Sequence, residues 1–178
     1  MKVTVPTELA DITLATYMQY EQQETTLGKI RVLLGLEESL VRNIEQADFD
    51  QITKLLTTLD TSPDQEHTLQ PIVEVDGMRY GLIPNLSRIT TGEYIDLERL
   101  CEDTWTNLPQ ILAVLYRQVT IETKREYQVA AYTGAEDHTW TQMLTMDVVM
   151  GVLGFFLSTG LALSSASLQS FKEERAAD

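Results

Sequence analysis

The sequence predicts an α+β fold, predominantly helical, with one or two antiparallel β-hairpins packed with helices and a long C-terminal apolar helix. Three observations carry that reading. Apolar residues recur at spacings of three and four over much of the chain. An Asp76-Gly77 pair sits between two alternating runs of strand formers. Val148 to Ser170 forms 23 consecutive residues without a charge. At 178 residues the chain suits a single domain, 1–178, able to bury a sizeable core. Within it the pattern divides into an N-terminal helical region over residues 1–60, a hairpin 69–84, a helical pair 90–117, a second hairpin 118–131 and C-terminal helices 139–171.

Val3 and Val5 alternate with polar residues before Pro6 and predict a short extended arm. From Asp11, the spacing of Ile12, Leu14, Ala15 and Met18 predicts a helix. A second apolar series, Leu27 to Leu34, stops at Gly35, and the two helices are expected to be neighbours. Asp48 is the expected N-cap of a third helix that places Phe49, Ile52, Leu55, Leu56 and Leu59 on one face. The polar stretch Asp60–Gln70 then reads as a loop.

With Asp76 and Gly77 as a two-residue turn, Val75 faces Met78, Glu74 faces Arg79 and Val73 faces Tyr80. One face is then apolar and the other carries an opposite-charge pair. Pro84-Asn85 ends the hairpin. Thr90 and Glu93 have the spacing of a capping box ahead of Tyr94, Ile95, Leu97, Leu100 and Cys101. Asn107, with Pro109 and Gln110, predicts a further helix started in the same way and carrying Ile111, Leu112, Val114 and Leu115. Val119, Ile121, Val129 and Ala131 around Lys124-Arg125-Glu126 predict the second hairpin. A three-residue loop pairing Ile121 with Val129 keeps its apolar face continuous, whereas a two-residue loop pairs Ile121 with Gln128. The longer loop is the expectation. Gly134–His138 reads as a linker. Leu33, Leu55, Val73, Val75, Tyr80, Leu97, Leu115, Leu153 and Phe156 are expected in the core.

Charge narrows the function. A net charge of −14 and a pI near 4.4 oppose direct nucleic-acid binding, which rests on a Lys/Arg footprint. Cys101 is the sole cysteine, so neither an internal disulfide nor a thiolate zinc site is expected, and a small buried hydrophobe is its plainest role. Met1–Pro6 has no signal-like pattern, which predicts that the protein stays where it is made. His67 and His138 fall in polar loops with no Ser or Cys motif beside them, and no catalytic residue is expected. Asp60, Ser62, Asp64 and Glu66 alternate as calcium ligands do, but Gln65 and Pro71 stand where a calcium loop needs Gly and Glu. No metal and no cofactor is expected.

The uncharged run passes the length test for a membrane span. Yet Asp147, Gly151, Gly154, Ser158, Ser165 and Gln169 form one small or polar stripe at helical spacing, and Lys172 and Arg175 are interleaved with Glu173 and Glu174. A core or oligomer-interface helix is therefore preferred to a span. Trp105 and Trp140 fall at expected helix starts, where an aromatic closes a core or, if exposed, meets a partner. The candidate partner-interface residues are Trp105, Trp140, Gly151, Gly154 and Ser158.

The stretch Tyr80-Gly81-Leu82-Ile83-Pro84-Asn85-Leu86 and the following Ile89-Thr90-Thr91-Gly92-Glu93-Tyr94-Ile95-Asp96-Leu97 resemble a family of small tailed-bacteriophage virion and tail-assembly proteins. Leu112-Ala113-Val114-Leu115-Tyr116-Arg117 and Asp147-Val148-Val149-Met150-Gly151 resemble the same family, so the similarity spans Val73 to Leu157, about half the chain. Gln118 stands where the family pattern has Pro, and the C-terminal helix is richer in Ser. The resemblance implies a non-enzymatic structural protein in the virion, or in the host cytoplasm during assembly, that binds further copies or other phage structural proteins. Its alternatives are an assembly chaperone not retained in the particle and a membrane-active lysis-type protein using 148–170 as a span.

Overall fold

A computed structural model describes residues 5–60, 68–83, 89–134 and 137–155, without the side chains of 55–60. The chain is mixed α+β, with a four-stranded antiparallel sheet. Its contacts divide into two compact units, one within Met1–Thr68 and Gln142–Val149, the other within Leu69–Thr141 and from Met150 onward.

In the first unit, α1 (Leu14–Glu21) and α2 (Thr26–Leu34) start at Thr13 and Thr25, whose hydroxyls accept from the backbone N–H of Thr16 and Gly28. Gly35, at φ +60°, closes α2 while Gly35 and Leu36 N–H bond back to Val32 and Arg31 carbonyls. The two helices are neighbours, as expected. Tyr20 and Ile30 are buried together with Val41 and Ile52, and Leu33 packs half-buried against that cluster. Lys29 Nζ lies 4.5 Å from the Tyr20 ring centroid, a cation–π contact. Val5 joins no strand and packs against the same cluster. Val41 belongs to α3 (Glu38–Val41), too short for a periodicity signal. The helix expected from Asp48 is α4 (Gln46–Asp60), so Asp48 lies in the first turn instead of capping it. There its carboxylate still meets the positive end of the helix. A bridge between Thr13 and Thr145 pins the start of α1, flanked by Leu14 N–H to Leu144 O and Met146 N–H to Ile12 O, both 2.8 Å.

The second unit holds the sheet, in order β1 (Ile72–Val75), β2 (Met78–Leu82), β3 (Tyr116–Glu122), β4 (Tyr127–Val129). The first hairpin has the expected register, and Asp76 (φ +50°) and Gly77 (φ +74°) give it the double left-handed turn that matches strand twist. Gly77→Val should destabilise the protein by about 1–3 kcal/mol, since a β-branched residue resists positive φ. An unchanged melting temperature would contradict that. Glu74 does lie opposite Arg79, but the Arg79 guanidinium forms its ion pair with Glu122 of β3. Val73 and Val75 are buried, Tyr80 is half-buried and Met78 is exposed.

Two helices link β2 to β3. α5 (Thr91–Leu100) has the expected capping box, and α6 (Leu108–Leu115) buries nearly every residue, Ile111 and Leu112 fully. Asn107 precedes α6 but does not cap it with its side chain. Its backbone (φ −94°, ψ 8°) is not extended, and Nδ2 donates instead to Leu100 O at 3.0 Å. Nor does the helical pair reach residue 117: α6 ends at Leu115, and Tyr116 and Arg117 belong to β3 opposite Leu82 and Gly81. Ile83 N–H to Leu115 O, 2.8 Å, extends that pairing to the helix end. Tyr116 is fully buried, its hydroxyl donates to Gln70 O, and burial together with Tyr127 pushes its pKa well above the ordinary phenol range.

The second hairpin differs from the expected register. Ile121 faces Gln128, and Thr123 N–H bonds to Glu126 O at 2.8 Å across Lys124-Arg125. A bulge between Val119 and Ile121 then returns Val119 to a position opposite Val129. The extra residue turns Ile121 outward, 54% exposed, and brings Glu122 to the face of Arg79.

Gly81 explains how this sheet closes. A Cβ there would stand 2.5 Å from Cε2 of Tyr127, whose ring crosses β3 and whose hydroxyl donates to Leu82 O at 2.7 Å. Gly81→Ala should therefore destabilise by about 1–3 kcal/mol, by displacing that ring. Wild-type stability of this variant in urea would show that the ring moves freely.

Downstream, Trp140 lies in a 3-10 turn, Thr139–Met143, before a helix α7 that starts at 146 and is described to 155. Asp137 caps the turn by accepting from Thr139 N–H and Oγ1, which hold its carboxyl below the usual range. Val149 and Val152 are fully buried and Leu153 nearly so. The expected remainder of the apolar helix, with Phe156 and Ser158, lies outside the described residues. Among the described residues no helix is long and apolar enough to cross a membrane. Asp60 is the last residue of α4, and the rest of the acidic stretch to Glu66, with His67, likewise lies outside the described residues.

Candidate functional site

The second unit exposes three large apolar side chains along one chain segment: Tyr94 (56%), Ile95 (55%) and Trp105 (53%). What fixes their position is the inner side of α5. Thr90 Oγ1 accepts from Glu93 N–H at 3.3 Å, while Thr90 N–H and Oγ1 both donate to Glu93 Oε2, at 2.5 and 2.7 Å. The other carboxylate oxygen, Oε1, accepts from Arg117 Nη2 at 2.8 Å. Both side chains of that pair are buried, at 3% and 9% exposure, so α5 is tied to the central strand β3 by a charge-assisted bond shielded from water. Leu97, one turn on, is buried below it.

The flank of α5 is fixed too. Asp96 accepts from Tyr132 Oη at 2.5 Å and from Arg99 Nη2 at 3.2 Å. Beyond Leu100 the backbone keeps turning through a 3-10 segment, Cys101–Asp103, and Asn107 N–H bonds to Asp103 O at 3.0 Å. Trp105 therefore rides on a helical path that continues from α5. Burial raises the pKa of the half-buried Cys101 thiol, which keeps it protonated.

Of the candidate interface residues in the sequence, Trp105 alone lies in this surface. Trp140 is buried and stacked on Tyr80, with ring centroids 3.6 Å apart. Gly151 is buried in α7; Gly154, one turn later, is exposed, and an added Cβ there would meet nothing within 4 Å. Ser158 is outside the described residues. His138 is half-buried, and its carbonyl accepts from the fully buried Thr141 hydroxyl at 2.7 Å. Among the described residues, no three His, Cys, Asp or Glu side chains are grouped to hold a metal ion.

Tyr94 and Ile95 stand with Leu97 in the apolar series that the sequence gives α5, and the structure turns them outward. A distinguishing signal exists in the spacing. Glu93, Leu97, Leu100 and Cys101 follow i, i+4, i+7, i+8 and mark one stripe, from which Tyr94 and Ile95 diverge. Reading Glu93 as an inward residue requires knowing that Arg117 waits for it. The chain matches no protein-family model, no curated protein and no solved structure.

Proposed function

We propose that this chain is a non-enzymatic structural protein of a tailed-bacteriophage particle that works through protein–protein contacts. The observation that carries a contact role is the outward display of Tyr94 and Ile95 on a helix anchored from within, and of Trp105 in the turn beyond its end. Tyr and Trp are the residue types that concentrate binding energy at interfaces, and a fixed backbone spares the ordering cost of association. The phage context rests on the resemblance of the segments around Tyr80–Leu97, Leu112–Arg117 and Asp147–Gly151. An assembly chaperone is the second reading, favoured by the same exposed apolar face on an acidic chain.

Mass spectrometry of purified particles from the phage encoding this chain separates the two. A signal at fixed stoichiometry to the major capsid protein is the expected result. Absence from particles, despite expression in infected cells, would overturn the virion reading and favour the chaperone.

A further inference from the structure

We infer that the outer face running from Tyr94 and Ile95 to Trp105 is the seat of a basic amphipathic helix of a different protein, an inference that rests on the contact role proposed above. Tyr94 and Trp105 are eleven residues apart, about three helical turns or roughly 17 Å of rise. At about 100° per residue they fall within about 20° of each other, with Glu98 about 40° from Tyr94. The tighter 3-10 turn at Cys101–Asp103 adds about 60° and leaves Trp105 between the directions of Tyr94 and Ile95. Carried at helical phase through Thr104, whose backbone is right-handed helical, the path sets these side chains in one stripe, apolar at both ends, with exposed Glu98 and Glu102 between.

Charge selects the occupant. Residues 91–107 carry Glu93, Asp96, Glu98, Glu102 and Asp103 against the single Arg99. Glu93 is buried with Arg117, and Arg99 is engaged by Asp96, which leaves the face acidic. A second copy would bring the same acids and a net charge of −14. A nucleic acid would be repelled as strongly. A helix with Leu-type anchors at i, i+3, i+7 and Lys or Arg beside them matches both the apolar ends and the acidic centre.

The test uses the full chain and two synthetic helical peptides, one with Leu and Lys at amphipathic spacing and one with Glu in place of every Lys, followed by calorimetric titration. The Lys peptide is expected to bind and the Glu peptide not. Tyr94→Ala and Trp105→Ala leave the charge unchanged, and each is expected to weaken binding on the order of tenfold, with an unaltered circular dichroism spectrum. Glu98→Lys combined with Glu102→Lys should weaken it as strongly and keeps the aromatics, so a folding defect in one variant does not decide the result. Equal affinity across all variants would mean general attraction to an acidic protein and would overturn the proposal. So would self-association of the free chain, in sedimentation, that Trp105→Ala abolishes, because the occupant would then be a second copy. Presence in particles without peptide binding overturns the partner chemistry alone; peptide binding by a chain that particles lack overturns the virion role alone.

Discussion

Arg117→Met is expected to destabilise the second unit by about 3–5 kcal/mol. The substitution leaves the Glu93 carboxylate at 3% exposure without its cation, while Thr90 continues to donate to it. Removing one partner of a buried pair forfeits the Coulomb energy but not the desolvation cost of the other. Glu93→Leu combined with Arg117→Met should recover part of the loss, since neither side chain then carries a charge while Thr90 N–H and Oγ1 lose their acceptor. Urea unfolding followed by tryptophan fluorescence reads this directly, because Trp105 and Trp140 both lie in this unit. Loss below about 1 kcal/mol for the single variant would mean that water reaches the carboxylate.

Leu112→Ala should cost about 2–5 kcal/mol. Leu112 is fully buried, as are Leu108 and Ile111 on the same helix, so little of the surroundings can collapse into the space. The midpoint of the urea transition should fall with the slope unchanged. An effect under about 1 kcal/mol would show that α6 shifts to fill the cavity. Because α6 runs straight into β3, such a shift would also be visible as altered amide exchange at Tyr116 and Arg117.

The contrast between these residues shows where sequence reading succeeds. Leu112 is legible as core because local periodicity places it there. Arg117 is legible as nothing more than the end of a helix, since its role depends on Glu93, twenty-four residues earlier, and on Gly81 across the sheet. The same division separates Trp105 from Trp140. Both stand near helix starts in the sequence, yet one is stacked on Tyr80 from a distant hairpin and the other faces outward.

By itself the sequence determined what short-range chemistry decides: the Asp76-Gly77 turn and its register, the Thr90–Glu93 cap, the Gly35 stop, and the acidic character of the chain. Each of the three local features depends on residues a few positions apart, whose backbone preferences act before any tertiary contact forms. The tertiary structure alone decided that two hairpins join into one sheet, that a bulge turns Ile121 outward, and that Glu93 is buried against Arg117. Those outcomes depend on pairings between residues far apart in the chain. Burying one charge is favourable or ruinous according to a partner that local pattern does not reveal.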